Sequence, residues 1–548
     1  MEENRFDVIV IGGGISGLTA AYTIKKKRAD AKVIVIEGKD RVGGRTLTVP
    51  LVGANGADRW DLGGQWVGAC QTHVIQLLKE LGLETYPQYT SGQKLQQLGG
   101  TKVTSYSSDI PSLSFWALID LYWHMAMTDR YQSQINVADP FSHPRAKEWD
   151  AMSIGAFLNK TLYTQGAHDA VEAACRVVFG CEPSQVSLLF YLIYIRMAGG
   201  LEKLLETKQG AAQELRIKGG AQMISLKLME SLGKNAVKLA DPVASVHQTD
   251  KAVEVTTETG WKGSASFVVV ATPPKAMEHV DFSPPLSSFR RDLMKCMPMG
   301  SLTKVILTYE TAFWRDAGLS GEIVSNGGDS VLSNCPRGPL CLSYDACTEN
   351  GSPALVAFLG GNLAVTYGAI TAKERQNAVL EHLSTFFGPQ VCTFLDYAEK
   401  DWNLEHLSHG SPVSYLSPGG MGLYAITVRR PEGRLHFAGT ETATIWSGYM
   451  SGAIQAGEAS AMAVLHRLYP NCLSQTELEE IRPFIADTNE GKNENGGGSV
   501  FSLLKKDVEG CSDFYWWFLT TTLGLGLLAG SVYLVQKVVN KDNIESWW

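Results

Sequence analysis

Two short apolar runs, each leading into a glycine turn, constrain this chain more than any other feature. Residues 6–11 (FDVIVI) precede 12–17 (GGGISG), and residues 32–37 (KVIVIE) precede a basic turn at 41–45 (RVGGR). The pattern is strand, glycine turn opening a helix, then a second strand ending in an acid. Gly12 permits the tight turn, Gly14 lets the backbone approach a pyrophosphate, and Gly17 lets the helix pack closely on the strand. The unpaired N–H groups of the helix start then face phosphates. Glu37 lies at the end of the second strand, where a carboxylate accepts both hydrogen bonds of a ribose diol. A glycine triplet alone is weak evidence; in this setting it argues for a bound dinucleotide.

Length and charge narrow the rest. At 548 residues the chain is too long for one core and implies two or more domains. A net charge of -8 offers no basic surface, so nucleic acid is not an expected partner. The ten cysteines form no C-x-x-C pair or regular framework, which argues against zinc sites and dithiol chemistry. No secretory or transit segment precedes the first strand, so the expectation is a catalytic body in reducing cytosol with free thiols.

The fold class expected is α/β: a Rossmann-like dinucleotide domain built from discontinuous segments, with an α+β substrate domain and a C-terminal transmembrane helix. Residues 5–95, 216–299 and 395–468 are assigned to the cofactor domain, the last after a buried strand stopped by proline at 267–274 (FVVVATPP). Residues 96–215, aromatic-rich with helical periodicity, and 300–394, with strand-like runs, form the substrate domain. Residues 469–510 are expected to be a linker, because the stretch from 485 is too polar to bury apolar surface. Residues 514–535 carry no formal charge. As a helix that segment spans roughly 33 Å, enough for a hydrocarbon core of about 30 Å, with Tyr515, Trp516 and Trp517 as an aromatic belt and Lys537 and Lys541 beyond the other end.

The turn at 41–45 resembles the second flavin-binding turn of the FAD-dependent amine oxidases, and the order of motifs resembles a monoamine oxidase over essentially the whole chain. Residues 437–443 (FAGTETA) with 446–450 (WSGYM) are similar to that family's flavin pyrophosphate and active-site segment, in which Tyr449 stands beside the isoalloxazine. Residues 299–304 (MGSLTK) look like the strand whose lysine, here Lys304, holds a water against flavin N5. Trp402 matches the flavin-packing tryptophan, and Val243 the adenine contact. The resemblance thus implies FAD held by Gly12, Gly14, Ser16, Gly17, Glu37, Arg41, Gly44, Arg45, Gly64, Gln65, Trp66, Val243, Trp402, Ser411, Gly439, Glu441 and Tyr449. It implies Lys304 and Tyr449 as catalytic residues, and Phe358, Leu342 and Leu204 as an apolar lining suited to an arylalkyl chain. No metal is expected.

One departure matters. Where mitochondrial monoamine oxidases attach FAD through the Cys of a Ser-Gly-Gly-Cys-Tyr segment, residues 408–412 here are SHGSP. Ser411 replaces the thiol and Pro412 the tyrosine that makes the other half of the aromatic cage, so FAD is expected without a covalent bond, a His409 linkage being the minor alternative. The resemblance implies oxidative deamination of a primary amine to an aldehyde with ammonia, O2 returning as H2O2. Two alternatives stay open: a flavin oxidase of a polyamine, which would want acids in the pocket, or of an amino acid, which would want an Arg; and a membrane-anchored FAD protein with little turnover. Pairing into a homodimer also stays open. The resemblance points to the mitochondrial outer membrane with the catalytic body facing the cytosol, the endoplasmic reticulum being the alternative. Truncation after about residue 500 is expected to move the protein from the membrane to the soluble fraction with activity kept; membrane association surviving the truncation, measured by fractionation, would reveal a second attachment surface.

Overall fold

The computed structural model describes residues 4–485 apart from 109, 331, 333 and 334. It opens on a βαβ unit. Strands β1 (Arg5–Ile11) and β2 (Val33–Ile36) pair in parallel with Ile9 opposite Ile34, and helix α1 (Ile15–Lys27) connects them. Their β-branched runs are continuous because both faces of a parallel sheet are covered. Helix α1 finishes on Lys25, Lys26 and Lys27, where the negative end of the helix dipole favours cations.

On its other side β1 pairs in parallel with Lys262–Val270, and the end of that strand pairs in parallel with Leu435–Phe437. Val237–Lys238 extends the sheet beyond β2, while Val253–Thr257, Val243–Gln248 and Asp281–Ser283 extend it beyond Lys262–Val270. Eight strands therefore come from three separated stretches of chain. The helix Met450–Leu468 packs on α1 so closely that a Cβ on Gly457 would lie 2.3 Å from the Ser16 carbonyl oxygen.

A second sheet of seven strands, mostly antiparallel, runs in the order Asp396–Asp401, Leu302–Thr308, Ala354–Gly360, Leu342–Asp345, Leu319–Ser325, Gln93–Gln97, Thr104–Tyr106. Every residue of Leu302–Thr308 and Ala354–Gly360 is buried. The helices Phe115–Ser133, Ile154–Thr161, Gln165–Phe179 and Leu188–Ala198 share one apolar cluster around Trp149, Phe157, Phe179 and Phe190.

Three boundaries differ from the sequence reading. Gln93–Gln97 straddles the end of the first cofactor segment and Asp396–Asp401 lies just inside the third, yet both belong to the second sheet. The second is a half-buried edge strand whose polar composition (DYAEKD) hides it, and its pairing of Lys400 with Lys304 carries Trp402 to the strand that bears the lysine. The linker also begins later than 469. Gln475–Glu480 is a helix with a Ser474/Glu477 capping box, and Ile481 and Phe484 pack against Ala459 and Ala463. Among the described residues no helix is long and apolar enough to cross a membrane; the segment 514–535 lies outside them.

Gly17 is the tightest point of the βαβ unit, since an added Cβ would stand 2.0 Å from the Gly12 carbonyl oxygen. Gly17→Ala is expected to lower stability by at least about 1–3 kcal/mol. Urea unfolding checks this, and a wild-type midpoint would contradict it.

Candidate active site

The two glycine turns lean on one another. Gly43 N–H donates to the Gly13 carbonyl at 2.9 Å, and Gly13 N–H donates to Glu37 Oε2 at 2.6 Å. Glu37 Oε1 accepts from Lys39 N–H at 2.9 Å, so both carboxylate oxygens keep a lone pair for a further donor. Burial pushes the Glu37 carboxyl up, and the two backbone N–H groups oppose that shift. Gly12, at φ +106°, makes the turn. A Cβ on Gly14 would meet nothing within 4 Å, because it would project into a cleft of about 370 Å³ that runs along both turns.

Gly12, Gly14, Ser16, Glu37, Gly44, Arg45, Gly64, Gln65, Trp66, Val243, Trp402, Ser411, Gly439, Lys304, Phe358 and Tyr449 all line this cleft. Three expected residues stand behind its wall. Gly17 is the packing contact already described. Arg41 donates to the carbonyls of Gly44 and Thr46, both at 3.0 Å, and braces the second turn from outside. Glu441 is 3% exposed and accepts from Ser414 Oγ at 3.0 Å, with Arg45 Nη2 3.5 Å away. It thereby steadies Arg45, which also donates to the Pro412 carbonyl at 3.1 Å. The Ser16 hydroxyl is likewise committed, to the Ala438 carbonyl.

Lys304 sits mid-strand, fully buried. Its Nζ donates to the Gly63 carbonyl at 2.9 Å and to Gln65 Oε1, and lies 5.7 Å and 5.5 Å from the ring centroids of Trp66 and Phe358. Burial lowers its pKa to about 7, against the opposing charge of buried Asp61. Trp402 is held by Nε1 donating to the Leu62 carbonyl at 3.0 Å. Tyr449 caps the helix Met450–Leu468, with its carbonyl bound by Thr440 Oγ1 and its ring edge-on to Trp446 at 5.2 Å. On the wall, Gln65 Nε2, Tyr194 Oη, Ser408 Oγ and Ser411 Oγ are buried without a partner. With the open cradle at Gly14, these atoms suit a long polar ligand. His409 stacks on His279 at 4.8 Å and is not among the lining residues.

The expected substrate lining divides. Phe358 borders the cleft, whereas Leu204 and Leu342 line a second chamber of about 210 Å³ that shares Val177, Val178 and Gln213 with it. Sequence reasoning missed Tyr194, 6.3 Å from Tyr449, because its helix (LLFYLIYIRMA) has the pattern of plain core.

A family model for flavin containing amine oxidoreductases matches residues 15–465. The chain is 34% identical over 455 residues to the probable flavin-containing monoamine oxidase A of Dictyostelium discoideum, covering 82% of this chain and 96% of that one. It is 34% identical over 470 residues to the flavin-containing amine oxidase A of Equus caballus, covering 85% and 86%. Among solved structures, cyclohexylamine oxidase from Brevibacterium oxydans matches with a TM-score of 0.77 at 30% identity, and putrescine oxidase bound to putrescine with 0.78 at 29%; each covers 84% of this chain and 99% of its own. Turns, cleft, buried lysine and relatives agree: the chain is an FAD-dependent amine oxidase and belongs to the flavin-containing amine oxidoreductase family.

Proposed function

We propose that this oxidase deaminates a primary amine on an apolar chain, passes the electrons to O2, and holds FAD without a covalent bond. The observation that carries the reading is Lys304, buried beside Trp66 and Phe358 on the wall that continues from the phosphate turns toward Tyr449. FAD, when bound, supplies the acceptor for the C–H bond α to nitrogen and returns its electrons to O2.

The residues have distinct tasks. The glycine turns and the N-terminus of α1 bind the pyrophosphate, Glu37 the ribose diol and Val243 the adenine. Trp402 and Trp66 pack the ring system. Tyr449 presents an aromatic face to the amine and keeps water from it. Tyr194 does not replace the cage tyrosine absent at Pro412. A centroid gap of 6.3 Å is direct ring contact, with no room for an amine between the faces. Tyr194 therefore positions Tyr449, and the amine meets one aromatic wall. Attachment to a membrane through residues 514–535 belongs to this proposal on their composition alone.

Near neutral pH, Lys304 Nζ holds or releases a proton. As a cation it favours negative charge developing on O2. Reoxidation by O2 of the photoreduced enzyme is accordingly expected to slow as pH rises through about 7. Lys304→Met should be about 10-fold or more slower with no inflection there. Stopped-flow absorbance measures both, and a variant with wild-type rate and profile would remove Lys304 from the chemistry.

Acid precipitation is expected to release all the FAD, because Ser411 is the wall residue at the linking position and a hydroxyl is a poor nucleophile beside a thiolate. Flavin left on the pellet would refute the non-covalent reading and make His409 the suspect. Gly14→Val should lose the flavin while the apoprotein unfolds like wild type, since a Cβ there points into the cleft with no protein atom within 4 Å. Full flavin in that variant would overturn the assignment of the turn. The amine-oxidase reading itself is tested by anaerobic addition of amines, with bleaching of the flavin band as the expected result.

A further inference from the structure

The second chamber borders the cleft through Val177, Val178 and Gln213, and most of its wall is apolar, with Leu121, Met125, Leu204 and Leu342 among its residues. Its polar groups have a common character. Glu206 and Glu322 both line it, and no Lys or Arg does among the described residues. Lys94 reaches Glu322 at 3.3 Å from outside the lining, and Tyr106 Oη lies 3.4 Å from the same carboxylate. Burial first, and then the charges of Glu322 and Glu206 among others, hold the phenols of Tyr106 and Tyr344 well above their ordinary range.

Beside these partnered carboxylates, two neutral side chains present acceptor atoms without a partner. His124 is 1% exposed, and its Nδ1 lies 3.1 Å from Thr161 Oγ1. Thr161 gives its own proton to the Phe157 carbonyl at 2.9 Å, so its oxygen accepts at the imidazole. The proton of neutral His124 therefore resides on Nδ1, and Nε2 is a lone pair, buried and without a partner. Burial lowers this imidazole to about 4 and keeps it neutral. At the junction of the two cavities, Gln213 Nε2 donates to the Leu204 carbonyl at 3.2 Å, leaving Oε1 buried without a partner. Unmade acceptors in a buried site cost stability unless a ligand answers them.

A ligand for this chamber needs a methylene chain for the apolar walls and N–H donors with positive charge at its far end. We propose that the second chamber is the subsite for the distal ammonium of a linear diamine or polyamine, held by Glu206, Glu322 and His124, with Gln213 accepting from the chain's N–H groups at the junction. The proposal rests on the reading of the cleft as the place where the near amine is oxidised. It replaces the arylalkyl expectation, because two of the three residues behind that expectation lie in the chamber with the acids.

The test compares amines of equal length: pentylamine with 1,5-diaminopentane and hexylamine with 1,6-diaminohexane. For the wild-type holoenzyme, kcat/KM is expected to favour the diamine at least about 10-fold, the value of one charge-assisted contact. That ratio should fall by about 10-fold in Glu206→Gln and in Glu322→Gln, and by a smaller factor in His124→Phe. A ratio cancels any general loss of fold or flavin, and Glu206→Gln, which leaves the Lys94–Glu322 pair intact, is the deciding variant because an unpaired Lys94 in Glu322→Gln would itself repel the diamine. A second readout is binding without turnover, by flavin difference spectra, of the diamine methylated twice on each nitrogen, against the monoamine treated likewise. Wild-type preference for the monoamine, or a diamine preference surviving in Glu206→Gln, would overturn the subsite. If no amine bleaches the flavin yet the methylated diamine binds in a carboxylate-dependent way, the subsite stands and the reading of the cleft falls.

Discussion

The backbone of residue 13 is gripped from both sides, and the site is organised around that grip. Its N–H is held by the carboxylate that ends β2, and its carbonyl by the amide of the second glycine turn. A buried charged acceptor makes the first of these bonds stronger than a neutral one. The consequence is geometric: the first glycine turn, Glu37 and the basic turn cannot move independently. Arg41 and Glu441 extend the same principle outward, bracing a turn and steadying Arg45 from behind the wall.

Lys304 shows the opposite economy. A lysine in mid-strand among apolar neighbours loses hydration, and its amine shifts toward neutrality. The structure tolerates it because Gly63 and Gln65 receive its N–H groups and Asp61 supplies an opposing charge in the same interior. Asp61 is itself secured by Thr48 Oγ1 at 2.6 Å and Ala221 N–H at 3.0 Å. Buried charge of this kind is weak evidence for stability, and a group so strongly perturbed on the wall of a cleft marks a candidate functional position.

What was legible in the sequence was local. Glycine spacing, β-branched runs and the acid at position 37 sit within one βαβ unit, and their roles follow from backbone sterics. The strand bearing Lys304 and the loop bearing Tyr449 were legible through resemblance, and both reach the cleft. Tyr194, His124 and Gln213 were not: Tyr194 sits in a helix with the pattern of plain core, and the unpartnered atoms of His124 and Gln213 are revealed only by three-dimensional burial. Leu342 and Phe358 illustrate the same limit: they are cross-strand partners, yet they border different cavities. The late start of the linker had a local signal, the Ser474-x-x-Glu477 box, outweighed by polar composition.

The three-segment construction of the cofactor sheet also dictates when the site comes into existence. Residue 16 meets residue 438, α1 packs on a helix ending at residue 468, and the walls of the cleft are contributed at positions 14, 45, 304, 402 and 449. During vector synthesis the N-terminal βαβ unit leaves the ribosome with one flank of β1 unpaired, since its partner begins at residue 262. Contacts this distant in sequence close slowly, and exposed strand edges invite misassociation meanwhile. The cleft is therefore complete only when the chain through residue 468 has come together, and the N-terminal βαβ unit alone, for all its recognisable motif, supplies one wall of it.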